Sequence, residues 1–221
     1  MIWEDPVFHG EIPLMVIPLV EIPLELSSDP PSAEIRELID EAARRIDEFF
    51  EEGLGPRYRS YVPSDPELLH GALTSRSLTD RLAGKVFCEW GSGFGLATGI
   101  ASLLGWEAFG IEREAELVER SLRLLEDFNL DATILETSFL PGGFEEAEGI
   151  GGKDLLLPGE GWGGVHESEA VGFEGLDPEK VDLFFVYPWP DQEQLMMDLF
   201  RAVASEEAVL LMYLGDGEMV A

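Results

Sequence analysis

From Gly84 onward the chain sets short apolar runs against amphipathic stretches of helical length. Residues 85–90, 107–111, 132–136, 181–187 and 208–213 read as strands. Residues 96–104, 113–128 and 191–204 read as helices. Strands that alternate with helices of this length join a parallel sheet through right-handed crossovers, with helices covering both faces. The predicted class is therefore α/β, a doubly wound and mostly parallel sheet.

The first strand runs into Glu89-Trp90-Gly91-Ser92-Gly93-Phe94-Gly95, and a helix follows at once. Glycines at such a turn let the backbone approach a ligand without side-chain obstruction. Open α/β sheets bind ligands at the carboxyl ends of their strands. A dinucleotide turn of the form G-x-G-x-x-G fails in both registers, because Leu96 and Thr98 stand where the third glycine belongs. What stands here is E-x-G-x-G-x-G. An acid at the end of the first strand faces a cation rather than a pyrophosphate, which suits the amino group and sulfonium of S-adenosyl-L-methionine. After Gly110-Ile111 comes Glu112, seventeen residues beyond Gly95, placed to accept from both ribose hydroxyls. Thr137-Ser138-Phe139 follow the third strand, where small polar groups can meet an adenine edge. Tyr187-Pro188-Trp189-Pro190 follow the fourth, where a substrate would meet the methyl group.

With these motifs, residues 82–215 resemble the class I, seven-strand-type S-adenosylmethionine-dependent methyltransferases. The resemblance implies a Rossmann-like fold and S-adenosyl-L-methionine as cofactor. It implies that Glu89, Gly91, Ser92, Gly93 and Gly95 hold the methionine part, Glu112 the ribose, and Thr137 or Ser138 the adenine. Tyr187-Pro188-Trp189 is similar to the Asn/Asp-Pro-Pro-aromatic motif of N-methyltransferases and would form the catalytic corner. It departs from that motif at Tyr187, which replaces the amide or acid. The resemblance also implies a final strand hairpin, yet only about eight residues follow the fifth predicted strand. Either the hairpin is missing or an N-terminal segment replaces it.

Bland readings stand beside these. Glu112 also suits the first turn of the next helix as a dipole-matched charge. Tyr187-Pro188-Trp189-Pro190 also reads as a strand terminator with packed aromatics. Cys88, in mid-strand, reads as a small buried core residue. His9, His70 and His166 lack metal-ligand spacing, so no metal site is expected.

Residues 1–80 read as an N-terminal extension and 81–221 as the cofactor-binding domain. Ile-Pro-Leu recurs at 12, 17 and 22. Proline removes the backbone donor, so this stretch is extended chain along the domain or a partner and not a central strand. Asp29 ahead of Pro30-Pro31 reads as an N-cap for an amphipathic helix running to about Glu52. Ser64 and Glu67 have capping-box spacing for a short helix. Residues 141–180 break the rhythm with eleven glycines and ten acids. A loop that long is functional or unstructured, with a short turn of structure expected near 154–157.

Charge bounds the partners. Fourteen basic residues against 45 acidic ones leave −31. Such a surface repels phosphate backbones and anionic leaflets, so neither nucleic acid nor membrane is expected as partner. The acceptor is expected to be a small molecule or a protein, and the acidic surface favours a cationic one, such as an amine or a basic protein segment, over RNA. Three lysines against 31 glutamates suit either a saline interior or a merely acidic protein. A single cysteine fits a reducing compartment. With no basic n-region and no long apolar span, a cytoplasmic setting is expected. A non-catalytic module that keeps the cofactor turn is the alternative to an enzyme.

Overall fold

The computed structural model describes residues 18–58, 61–139, 144–148, 154–158 and 175–221. Six strands form the main sheet: β1 (Val86–Trp90), β2 (Glu107–Glu112), β3 (Ala132–Glu136), β6 (Leu183–Val186), β7 (Val209–Gly215) and β8 (Glu218–Val220). Their order is β3-β2-β1-β6-β7-β8. All neighbours are parallel except the last pair. The chain therefore reverses its direction of winding between β1 and β6. A doubly wound sheet opens a crevice at that point, outside the carboxyl ends of its strands.

Side chains alternate between two cores, as a period of two requires. Phe87, Leu183, Phe185, Val209 and Leu211 face one core, with α4 (Leu96–Leu103), α2 (Pro66–Leu73) and the stripe Ile35, Leu38 and Ala42 of α1 (Ala33–Glu51). Cys88, Trp90, Phe184, Val186, Leu210 and Met212 face the other, with Met196, Leu199, Phe200 and Val203 of α6 (Glu193–Val203). The extension thus packs on the domain through α1 and α2, which lie on α4, and through the short α3 (Arg76–Thr79), whose Leu78 joins the first core, instead of standing apart. Helix α5 (Ala115–Asp127) runs between β2 and β3 and buries Leu117, Val118, Leu124 and Leu125.

Three details differ from the sequence reading. Helix α1 is capped by Ser32, whose side chain accepts from the Ile35 N–H, and not by Asp29. Two consecutive prolines hold the residues before them extended, so the helix starts after them. Helix α2 is capped by Asp65, which accepts from Glu67 and Leu68, with Pro66 at its first position. A carboxylate there suits the helix dipole better than Ser64 would. Finally, β7 and β8 form the hairpin that looked absent. Its turn, Asp216-Gly217, has positive φ at both residues, which is the backbone a two-residue hairpin demands.

The third Ile-Pro-Leu unit lies along the domain. The Ile22 N–H donates to the Ala221 carbonyl at 2.7 Å, and the Ser27 N–H to the Gly71 carbonyl at 2.9 Å. Ile22 and Leu24 pack against the first core. The units beginning at 12 and 17 fall wholly or partly outside the described residues. Within 141–180, β4 (Phe144–Glu148) and β5 (Asp154–Pro158) pair antiparallel. Among the described residues no helix is long and apolar enough to cross a membrane.

The acidity is only locally offset. Arg44 and Arg45 pair with Glu41, Arg45 with Asp127, and Arg120 with Glu116 and Glu52. Arg45, Arg120 and Glu41 are half-buried while Arg44, Asp127 and Glu52 are exposed, so the pairs lie at the surface, where each contributes little. Like-charge repulsion is screened over about 10 Å at 0.1 M salt and about 3 Å at 1 M. The Tm is expected to rise between low salt and molar potassium chloride. A flat or falling Tm would show that the acids are already dispersed or paired.

Candidate functional site

The site is built on the turn after β1. Gly91, Gly93 and Gly95 all have positive φ, at 74, 52 and 70°, a region that side chains with a Cβ disfavour. The turn is pinned to the neighbouring strand. The Gly91 and Ser92 N–H groups both donate to the Ile111 carbonyl at 2.9 Å. The Gly93 N–H donates to Glu112 Oε2 at 2.8 Å, and the Glu114 N–H to Glu112 Oε1 at 2.9 Å. Glu112 therefore clamps the turn and leads into α5 with one carboxylate. Burial pushes its carboxyl up, against the pull of those N–H donors.

A cavity of about 350 Å³ opens over the strand ends, within the usual range for small-molecule sites. Of the residues singled out in the sequence, Gly91, Glu112, Thr137, Ser138, Tyr187, Pro188 and Trp189 line it. A Cβ at Gly91 would find only Phe139 within 4 Å, at 3.9 Å, so this stretch of backbone is open to an incoming group. Trp90 stacks on Phe139 with ring centroids 5.7 Å apart and planes 8° apart. Val62, Arg113, Gln192 and Met196 complete part of the wall.

Glu89, Ser92, Gly93 and Gly95 do not line this cavity. Glu89 turns toward α4, where Oε2 accepts from the Thr98 N–H at 3.0 Å and from Thr98 Oγ1 at 2.7 Å. It supplies the N-terminal cap that Gly95 cannot. Glu89 and Ser92 line a smaller adjoining cavity of about 40 Å³. Desolvation pushes the Glu89 carboxyl up to about 8; the Thr98 bonds oppose this and the Glu112 charge adds to it. Gly95 is a packing glycine, since a Cβ there would stand 3.0 Å from Ser121 Cβ.

Gly93 is small for a reason the sequence hid. A Cβ there would lie 2.3 Å from Tyr61 Cε2. Tyr61 comes from the extension and packs against Phe94 at 5.3 Å and Phe49 at 6.1 Å. Its ring bridges both cavities. Nothing in the sequence pattern links Tyr61 to the glycine turn, because 32 positions and two helices separate them. Tyr187 packs edge-on against Tyr213 at 4.7 Å and also lines the cavity, so this corner packs aromatics and borders the cavity at once. Cys88 is buried in the second core with its thiol pushed up by burial. Among the described residues no cluster of potential metal ligands occurs. His9, His166 and Trp162 lie outside the described residues.

No protein-family model matches the chain, and no curated protein matches it. Among solved structures it is similar to an RNA methyltransferase from Salinibacter ruber in complex with S-adenosyl-L-homocysteine. That likeness has 14% identity and a TM-score of 0.46, and covers 68% of this chain and 76% of the other. A 16S rRNA methyltransferase from T. thermophilus, in complex with AdoMet and guanosine, is 17% identical with a TM-score of 0.45, over 69% and 34%. An S-adenosylmethionine-dependent methyltransferase from Clostridium acetobutylicum is 10% identical with a TM-score of 0.43, over 76% and 56%. The sheet order and parallel pairing are by themselves those of a Rossmann-like fold. The chain spans between about a third and three quarters of the length of these proteins.

Two expectations follow from the geometry. Because the folded carboxyl of Glu89 lies above its usual value of 4.5, the native state keeps a proton that the unfolded chain releases. That stability is present below about pH 4.5 and is lost as pH rises toward about 8. Relative to the wild type, Glu89→Gln should gain on the order of 1–4 kcal/mol between pH 5 and pH 8. A pH-independent difference in urea denaturation would show Glu89 ionised throughout. Second, Gly93→Ala should be destabilising by about 1–3 kcal/mol. That cost should shrink by at least about 0.5 kcal/mol when Tyr61 is already alanine. Equal costs in the two backgrounds would remove Tyr61 as the cause.

Proposed function

We propose that the protein is an S-adenosyl-L-methionine-dependent methyltransferase of the class I type. One observation carries the reading: three consecutive strand ends meet at one cavity with the groups an adenosyl ligand needs. Gly91 offers open backbone after β1, Glu112 a carboxylate after β2, and Thr137-Ser138 small polar groups after β3. An acid in that place holds ribose hydroxyls by charge-assisted bonds. It can do so while retaining its backbone donors from Gly93, Arg113 and Glu114, since a carboxylate offers about four acceptor positions. The residues therefore fit the cofactor. Residues 1–80 act as an extension that helps wall the site through Tyr61 and Val62.

When bound, S-adenosyl-L-methionine supplies a methyl group activated by its sulfonium. Tyr187, Pro188 and Trp189 hold the acceptor at the opposite end of the cavity. The apolar side chains Val186, Pro188, Pro190 and Met196 in the wall exclude water, so positioning and desolvation carry much of the rate. The carboxylate of Glu193, in the cavity wall at the start of α6, takes the proton that the acceptor releases. The acceptor is a small molecule or a protein side chain rather than nucleic acid, and the lone buried cysteine suits the cytoplasm.

S-adenosylhomocysteine should raise the Tm of the wild type while NADH leaves it unchanged. Glu112→Ala should weaken S-adenosylhomocysteine in calorimetry by about 1.5–3 kcal/mol, the range for bonds to a charged group. Stabilisation by NADH instead would remove the reading. Transfer of a labelled methyl group separates an enzyme from a module that merely binds.

A further inference from the structure

Two cavities adjoin at the strand ends, and a ring from the extension stands between them. The cavities of about 350 and about 40 Å³ share Tyr61, Val62, Trp90, Gly91 and Tyr187 in their walls. Trp90, Gly91 and Tyr187 come from the ends of β1 and β6, whereas Tyr61 and Val62 come from the extension. The Tyr61 ring lies on the glycine turn. A Cβ at Gly93 would stand 2.3 Å from its Cε2 and 2.7 Å from its Cδ2. Phe49, Phe50 and Phe94 hold the ring there, with centroids 6.1, 6.3 and 5.3 Å away.

The sheet order decides what else belongs in that place. The strands run β3-β2-β1-β6. An adenosyl ligand with its adenine after β3 and its ribose after β2 therefore brings its amino-acid end to the end of β1. There the backbone of the glycine turn and the carboxyl of Glu89 await it. Among the described residues Glu89 accepts only on Oε2, from Thr98, and it lines the small cavity. That cavity has room for about three waters at most, which is too little for an ammonium and a carboxylate on one carbon. The missing volume is the Tyr61 ring. Burial, and then the charges of Glu89 and Glu112, push the Tyr61 hydroxyl pKa up. A neutral phenol thus stands beside two carboxyls, where an ammonium would gain from both.

We infer that the Tyr61 ring plugs the amino-acid end of the cofactor site and must leave Gly93 before S-adenosyl-L-methionine seats fully. This rests on the methyltransferase reading and adds to it a gate carried by the extension. The strap that bears the ring is tied at its ends. The Tyr61 N–H donates to the Tyr58 carbonyl at 3.0 Å, and Asp65 caps α2. Between them Val62, Pro63 and Ser64 make no backbone hydrogen bond among the described residues, and Val62 is exposed. Segments with few such bonds open at low cost.

The test uses the full chain with S-adenosylhomocysteine and methylthioadenosine, which share the adenosyl sulfur and differ in the amino-acid end. In NMR of the wild type, the nuclear Overhauser contact between the Tyr61 ring and the Gly93 α-protons should vanish on saturation with S-adenosylhomocysteine. It should persist with methylthioadenosine. A site open for only a fraction of the time binds with its apparent Kd raised by the inverse of that fraction. In calorimetry Tyr61→Ala should therefore tighten S-adenosylhomocysteine at least about fivefold and leave methylthioadenosine within about twofold. Tyr61→Phe keeps the ring and should bind both as the wild type does. A contact that survives saturation with S-adenosylhomocysteine overturns the inference. So does a Tyr61→Ala protein that holds methylthioadenosine normally and S-adenosylhomocysteine no more tightly. If neither compound binds the wild type, the methyltransferase reading falls and takes the plug with it.

Discussion

The carboxylate of Glu112 ties the site together. It accepts from Gly93 on one oxygen and from Glu114 on the other, so one side chain joins the turn after β1 to the start of the segment after β2. With the Ile111 carbonyl taking the Gly91 and Ser92 N–H groups, it accounts for three donors of a left-handed turn that has no ladder of its own. A turn with positive φ at three glycines is costly in entropy and persists only where its surroundings determine it. Here the next strand supplies those surroundings. Gly110 completes the arrangement, since a Cβ there would stand 2.8 Å from Ser92 Cβ and 2.7 Å from Ile134 Cδ1. The glycine in β2 thus lets the turn lie close on the strand that clamps it.

Two carboxyls sit within this small region, and their surroundings push them into different work. Glu89 is enclosed beneath α4 and spends its acceptor capacity on Thr98. Glu112 borders the cavity and keeps lone pairs for a ligand. The Glu112 charge raises the proton affinity of Glu89 only modestly beside desolvation, and the Glu114 charge does the same for Glu112. The inner one can hold its proton near neutrality while the outer one, with backbone donors on both oxygens, is better placed to carry the charge.

The strands were legible because a parallel sheet buries both faces, and runs such as Leu-Phe-Phe-Val leave no other fold for so much apolar surface. Residues 132–136 match β3 at both ends, and the glycine turn, Glu112 and Thr137-Ser138 all reach the strand ends. Boundaries slipped where two capping residues stand side by side, as with Ser64 and Asp65, because only the bonds made decide between them. The hairpin was missed although Asp216-Gly217 is a strong local turn signal. Tyr61 could not be found this way. Its importance lies in a ring against Gly93, a property of the assembled fold rather than of spacing.

The outer charge and the inner chemistry then answer to different ligands. A protein at −31 attracts cations over a Debye length and discriminates little between them. Under the methyltransferase reading the cation so attracted is the sulfonium cofactor, which loses its positive sulfur once the methyl group has left. The field therefore favours the charged cofactor over its spent form, and salt weakens that preference along with the repulsion that opposes folding. The cavity wall itself carries charge of both signs, with Glu112, Arg113 and Glu193 beside Val186, Pro188 and Met196. Net charge sums over the whole surface and sets only the long-range attraction, whereas contact with that mixed wall decides what stays.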